Sequence, residues 1–85
     1  MVSFFMKIKS YMLFTTPFCK ACKGVKEFLS NSTINGDHID ASSDEGGEVA
    51  VKYNVQGVPT VIFLDEKNNE ITRARTLSDV KEIIE

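Results

Sequence analysis

The chain has two cysteines, Cys19 and Cys22, set in a Cys-x-x-Cys spacing within TTPFCKACKGVKEFL, residues 15–29. Three chemistries use that spacing: a structural disulfide, a metal clamp and a dithiol that exchanges electrons. At a helix start the two sulfurs share one turn, which suits a disulfide, whose Cα atoms stand about 5–6 Å apart. As a staple the pair would close a very short loop, and by loop entropy such a bridge stabilises less than a long-range one. As a clamp it is short of ligands. Structural zinc takes four, and beyond the thiols the chain offers one histidine, His38, and no second Cys-x-x-Cys pair. A soft-metal module using the two thiols alone is the alternative from another class. As a redox pair the cysteines are well placed. Cys19 at a helix N-terminus meets unpaired backbone N–H groups that favour a thiolate. Lys20 and Lys23 act in the same direction, and such settings lower a cysteine pKa below its free value of about 8.5. Cys22, one turn inside, is shielded and suited to resolving a mixed disulfide, since exchange proceeds by thiolate attack on sulfur.

The elements that must hold this pair follow from periodicity. Residues 6–15 carry apolar, β-prone groups that become continuous from Tyr11 to Phe14, and Thr15, Thr16 and Pro17 break the strand. A helix is predicted from Cys19 to Leu29, with Ala21, Cys22, Val25, Phe28 and Leu29 on one face; SNSTING ends it. DHIDA, residues 37–41, reads as a short strand. Residues 42–53 read as a second helix, with Ser42 and Glu45 as a capping box and Gly46 and Gly47 weakening it. TVIFLD, residues 60–65, is a continuous apolar run and hence a central strand. EKNN turns the chain into EITRAR as a hairpin partner. Thr76 and Asp79 form a second capping box, and Leu77, Val80, Ile83 and Ile84 give a last helix its buried face. The order β-α-β-α-β-β-α predicts a mixed α/β sheet with helices on its faces, and places the cysteines beyond the carboxyl end of a central strand.

At 85 residues and a net charge of −2, one domain with no broad field for nucleic acid or membrane is expected. Charge is uneven: Lys7, Lys9, Lys20, Lys23 and Lys26 precede Asp37, Asp40, Asp44, Glu45 and Glu48. Two solvated faces account for this; the functional alternative is a basic field around the cysteines. The N-terminal apolar stretch is interrupted by Lys7 and Lys9 and lacks a cleavage site, so a cytoplasmic protein is expected; a monomer is expected as well. Residues 1–5 read as an N-terminal extension, with Phe4 and Phe5 disordered or covering a sheet edge, and with Met1 or Met6 as the start.

PFCKACKGVKEFL together with YNVQGVPTVIFLD, residues 53–65, strongly resembles the thioredoxin and glutaredoxin superfamily over nearly the whole chain from Met6. The resemblance implies a minimal thioredoxin fold, a four-stranded mixed sheet flanked by three helices. It makes Cys19 the nucleophile and Cys22 the resolving cysteine, with a redox-active Cys19–Cys22 disulfide and no tightly bound cofactor or metal. It makes Val58-Pro59 a cis-proline dipeptide facing the cysteines, with the Val58 backbone pairing with a client chain. Phe18, Lys20 and Ala21 complete the substrate-binding set, Phe18 as an apolar rim, while Lys20 and Lys23 tune the sulfur. Departures are visible. Leu13 stands where thioredoxins carry a buried aspartate, Phe18 where they carry tryptophan, and Arg75 where they carry a glycine. Thr16 replaces the lysine of glutaredoxins, whose Gly-Gly-x-Asp has no counterpart, and both losses count against a glutathione site. The implied activity is dithiol reduction of protein disulfides as an electron carrier in cell redox homeostasis, with ribonucleotide reductase a candidate client. The implied donor is a flavin-dependent thioredoxin-type reductase. The alternatives are a glutathione-dependent glutaredoxin and a fold used only for contact with an idle disulfide.

Overall fold

The computed structural model describes residues 7–84. Seven elements follow in the order β1 (Ser10–Thr15), α1 (Lys20–Ser30), β2 (Asn35–Asp40), α2 (Asp44–Lys52), β3 (Thr60–Leu64), β4 (Glu70–Ala74) and α3 (Leu77–Ile84). They build the minimal thioredoxin fold, a four-stranded mixed sheet with three helices. The sheet order is β2-β1-β3-β4. β1 runs parallel to β2 and antiparallel to β3, and β3 runs antiparallel to β4. The expectations for Phe4, Phe5 and a chain start at Met1 or Met6 lie outside the described residues.

Strand alternation divides the interior in two. Tyr11 and Leu13 of β1, with Val61 and Phe63 of β3, meet Val25 and Leu29 of α1 and Val80 of α3 on one face. Met12, Phe14, Ile62 and Leu64 meet Ala50 of α2 on the other. β3 is buried along its whole length, as its unbroken apolar run requires for a strand covered on both faces.

Several boundaries differ from the sequence expectation. β1 ends at Thr15 as expected, buried and paired with Asp40, but begins at Ser10, and residues 7–9 lie outside the strand. β2 begins at Asn35 rather than at residue 37 because Ser10 and Tyr11 already pair with Asn35 and Gly36. Gly36 lies beneath the Tyr11 ring, where a Cβ would collide with the ring carbons. The cap of α2 is Ser43, whose Oγ accepts the Gly46 N–H at 2.9 Å, and not Ser42. Ser42 is held instead by Asp40, donating its hydroxyl at 2.6 Å and its N–H at 2.9 Å to Oδ1, the side-chain turn that aspartate offers its neighbours. Gly46 is buried against the Asp40 carbonyl, so the glycine that weakens this helix by propensity is required by packing. The last helix is capped as expected, with Thr76 Oγ1 accepting the Asp79 N–H at 3.1 Å.

Candidate active site at the sheet end

The end of β1 and the start of β3 lie at one sheet edge, because Phe14 pairs with Thr60 in the antiparallel register. The turn Thr16–Phe18 leaves that edge from β1, and Val58–Pro59 enters it just before β3. Cys19 is the N-cap of α1, with extended backbone, and its Sγ accepts the Cys22 N–H at 3.2 Å. The two sulfurs form a disulfide across a Cα separation of 5.4 Å. Their environments differ. Cys22 is 4% exposed and part of the buried stripe of α1 with Val25 and Leu29, whereas Cys19 is only partly covered. A helix N-terminus presents donors and a positive dipole end to whatever anion stands there, so on reduction the group best placed to hold negative charge is the Cys19 sulfur.

Among the other predicted site residues, Phe18 projects from the edge, 87% exposed. It lines a shallow hollow with Pro17, Cys19, Lys20 and Lys23. Ala21 is exposed in the first turn of α1, not part of the buried face on which periodicity places it. It lies one residue round from Cys22, about 100° away, and the buried stripe passes it by. The Val58–Pro59 peptide bond is cis, with Pro59 buried and Val58 packed against the second core cluster. Thr60 Oγ1 donates to the Gly57 carbonyl at 2.6 Å and closes this loop from below. The dipeptide shares the sheet end with the cysteines but lines neither hollow beside them.

Thr15, His38 and Asp40 are among the residues that sequence reasoning did not assign to the site. With Thr16, Pro17, Lys23 and Lys26 they line a cavity of about 310 Å³ that both cysteines also border. The parallel register puts Leu13 beside His38 and Thr15 beside Asp40, so all four face the side of the sheet that α1 covers. Thr15 Oγ1 is hydrogen-bonded to His38 Nε2. Burial pushes the His38 pKa down, Lys26 pushes it further, and Asp40 partly opposes them. The Ser42 hydroxyl and N–H hold the Asp40 carboxyl below the usual carboxylate range. The signal for this cluster was the alternate spacing of His38 and Asp40 in DHIDA, legible only with the register known. Arg73 is engaged locally. It donates to Glu70 at 2.7 Å and to the Tyr53 carbonyl at 3.0 Å, while Arg75 is exposed.

Among the described residues no group of three or more His, Cys, Asp or Glu side chains stands ready to hold a metal ion. No helix among them is long and apolar enough to cross a membrane.

The glutaredoxin family model matches residues 11–67. A thioredoxin-like protein of Bacillus subtilis, the SPbeta prophage-derived YosR, is 33% identical over 58 residues, covering 68% of this chain and 70% of that one. The thiol:disulfide interchange protein DsbD of Yersinia pestis is 32% identical over 68 residues, but the chain spans only 11% of its length. Among solved structures, thioredoxin 1 of Thermosipho africanus superposes with a TM-score of 0.67 at 30% identity, over 87% of this chain and 85% of that one.

Proposed function

The chain belongs to the glutaredoxin family, within the thioredoxin superfamily, and from that premise we propose that it is a dithiol reductase of protein disulfides. Its fold and cysteine pair are those of a thiol oxidoreductase. The observation that carries the finer reading is the asymmetry of the two sulfurs: Cys19 capping a helix at the sheet edge, Cys22 at 4% exposure behind it. An accessible thiolate attacks; a shielded thiol one turn away resolves. In the proposed cycle the Cys19 thiolate attacks a client sulfur and one client thiolate leaves. Cys22 then attacks Cys19, the Cys19–Cys22 disulfide forms, and the client leaves with both sulfurs reduced. Phe18 offers clients an apolar rim, Lys20 and Lys23 add positive charge beside the nucleophile, and the Val58 loop offers backbone to an extended client segment.

The electron donor in this reading is a flavin-dependent thioredoxin-type reductase, the setting is cytoplasmic, and ribonucleotide reductase is a candidate client. A second reading, a glutathione-dependent cycle, draws support from the family match itself. Consumption of NADPH with an added disulfide substrate separates them when run in parallel with thioredoxin reductase and with glutathione plus glutathione reductase. Turnover with the first alone supports the proposal. Turnover with the second alone, retained in Cys22→Ser, replaces it by a monothiol glutathione cycle. Silence in both refutes the reductase reading.

A further inference from the structure

A buried thiol is a poor nucleophile until it loses its proton, because burial disfavours the thiolate. Cys22 is such a thiol. Leu13, which faces α1 from the middle of β1, gives it no acceptor. The cavity that Cys22 lines does contain proton-carrying groups, and they differ in what they offer. Lys23 and Lys26 present ammonium groups, which only donate. Asp40 is tied to Ser42 by two hydrogen bonds and its depressed pKa makes it a weak base. His38 reaches in from the edge strand with one ring nitrogen on Thr15, while the rest of the ring is open to solvent. We infer that His38, acting through the Thr15 hydroxyl and water in the cavity, accepts the proton that Cys22 loses when it resolves a mixed disulfide.

The inference rests on the dithiol reading above and names the residues that complete it. A cavity of about 310 Å³ has room for several waters, and Thr15, buried at its wall, joins the interior to the imidazole. With the Thr15 hydroxyl donating to Nε2, the thiol proton passes to water, the water proton to Thr15 and the Thr15 proton to Nε2. The Cys22 thiolate then attacks Cys19 Sγ. The Cys19–Cys22 bond forms, the bond from Cys19 to the client sulfur breaks, and the client departs as a thiolate that takes a proton from solvent. His38 returns its proton to solvent through its exposed side. The charged groups that bias it are Lys26 from α1 and Asp40 on its own strand, and Lys23 of α1 lines the same cavity. β1 contributes only the neutral Thr15, and Tyr11 opposite Gly36. α2 packs Val49 and Ala50 on the other face of the sheet. Burial and Lys26 lower the His38 pKa, which favours the neutral ring that can accept a proton.

The test is stopped-flow reaction of the reduced full chain with a chromogenic nitroaryl disulfide. The first aryl thiolate is released when Cys19 attacks, the second when Cys22 resolves. His38→Gln and Thr15→Val slow the second phase about tenfold at neutral pH, less than a directly bonded base would give because the proton is relayed, and change the first by under roughly twofold. The pH at which the second phase accelerates moves upward in both variants. Added imidazole restores the second phase of His38→Ala, which a merely structural role for the ring does not predict. A second phase of unchanged rate and pH profile in both variants, or no response of His38→Ala to imidazole, overturns the inference and leaves the dithiol reading standing. Loss of the first phase in the wild-type chain overturns the dithiol reading and this inference together.

Discussion

The three helical glycines make opposite predictions for one chemical change. Glycine inside a helix is less favourable than alanine by about 0.8–1.0 kcal/mol, so propensity alone expects Gly→Ala to stabilise at Gly24, Gly46 and Gly47 alike. At Gly24 a new Cβ would meet Leu77 Cδ2 at 3.6 Å, and at Gly47 it would meet the Ala41 carbonyl oxygen at 3.4 Å; both are ordinary contacts. At Gly46 it would run into the Asp40 carbonyl and stand 2.8 Å from Ser43 Oγ. That oxygen is the cap of α2, and the carbonyl belongs to the last residue of β2. Overpacking against backbone costs about 1–3 kcal/mol, and losing a serine cap costs about 1 kcal/mol more. Set against the propensity gain, Gly46→Ala is expected to destabilise by about 1–3 kcal/mol, whereas Gly24→Ala and Gly47→Ala stabilise by about 0.5–1 kcal/mol. Urea unfolding of the oxidised chains at neutral pH, read as midpoint shifts at constant slope, measures all three. A Gly46→Ala midpoint at or above that of Gly47→Ala would refute the packing account.

Phe63 is completely buried in β3, so Phe63→Ala costs about 3–5 kcal/mol and lowers Tm by more than about 12 °C, measured by thermal unfolding. Lys26→Gln raises the His38 pKa toward its ordinary value, but only in part, since burial is the larger cause; an imidazole NMR titration shows the direction, and a downward move contradicts it. The Arg73 guanidinium holds the Glu70 carboxyl below its ordinary range. That contribution is present at neutral pH and lost as pH falls through the depressed value. Arg73→Gln therefore destabilises at pH 7 by less than about 1 kcal/mol, the pair being partly exposed, and the gap from wild type narrows in acid.

Elements whose cause is local were legible in the sequence. TVIFL needs both faces covered, Thr76 precedes a helical stripe, and the cysteines stand at a helix start whatever else surrounds them. The misplacements arose where two local preferences compete and a tertiary contact decides. Ser42 and Ser43 are both able to cap α2; Ser43 prevails because Asp40, at the end of a strand fixed by β1, captures Ser42. Ala21 fits the apolar spacing of α1, yet the burial of that helix follows Cys22, Val25 and Leu29. Gly46 reads as a weakness by propensity and proves to be a condition of close approach between α2 and β2.

The same distinction separates the two halves of the candidate site. The sulfurs are three residues apart, so spacing alone brings them to one helical turn. Thr15 and His38 are 23 residues apart and meet only because β1 and β2 run parallel with Leu13 opposite His38. A slip of one residue in that register would turn His38 to the α2 face and bring Ile39 to the cavity, with Asp40 following His38 away. The register is held by Tyr11 over Gly36 at one end and by the Ala41 N–H donating to the Thr15 carbonyl at 2.8 Å at the other. The apolar side of β2, Ile39, is correspondingly packed in the second core cluster. The core that positions Ile39 therefore also fixes which polar groups border the resolving sulfur, and a substitution at Gly36, remote from both cysteines in sequence, is expected to disturb the Cys22 step through the strand rather than through the helix.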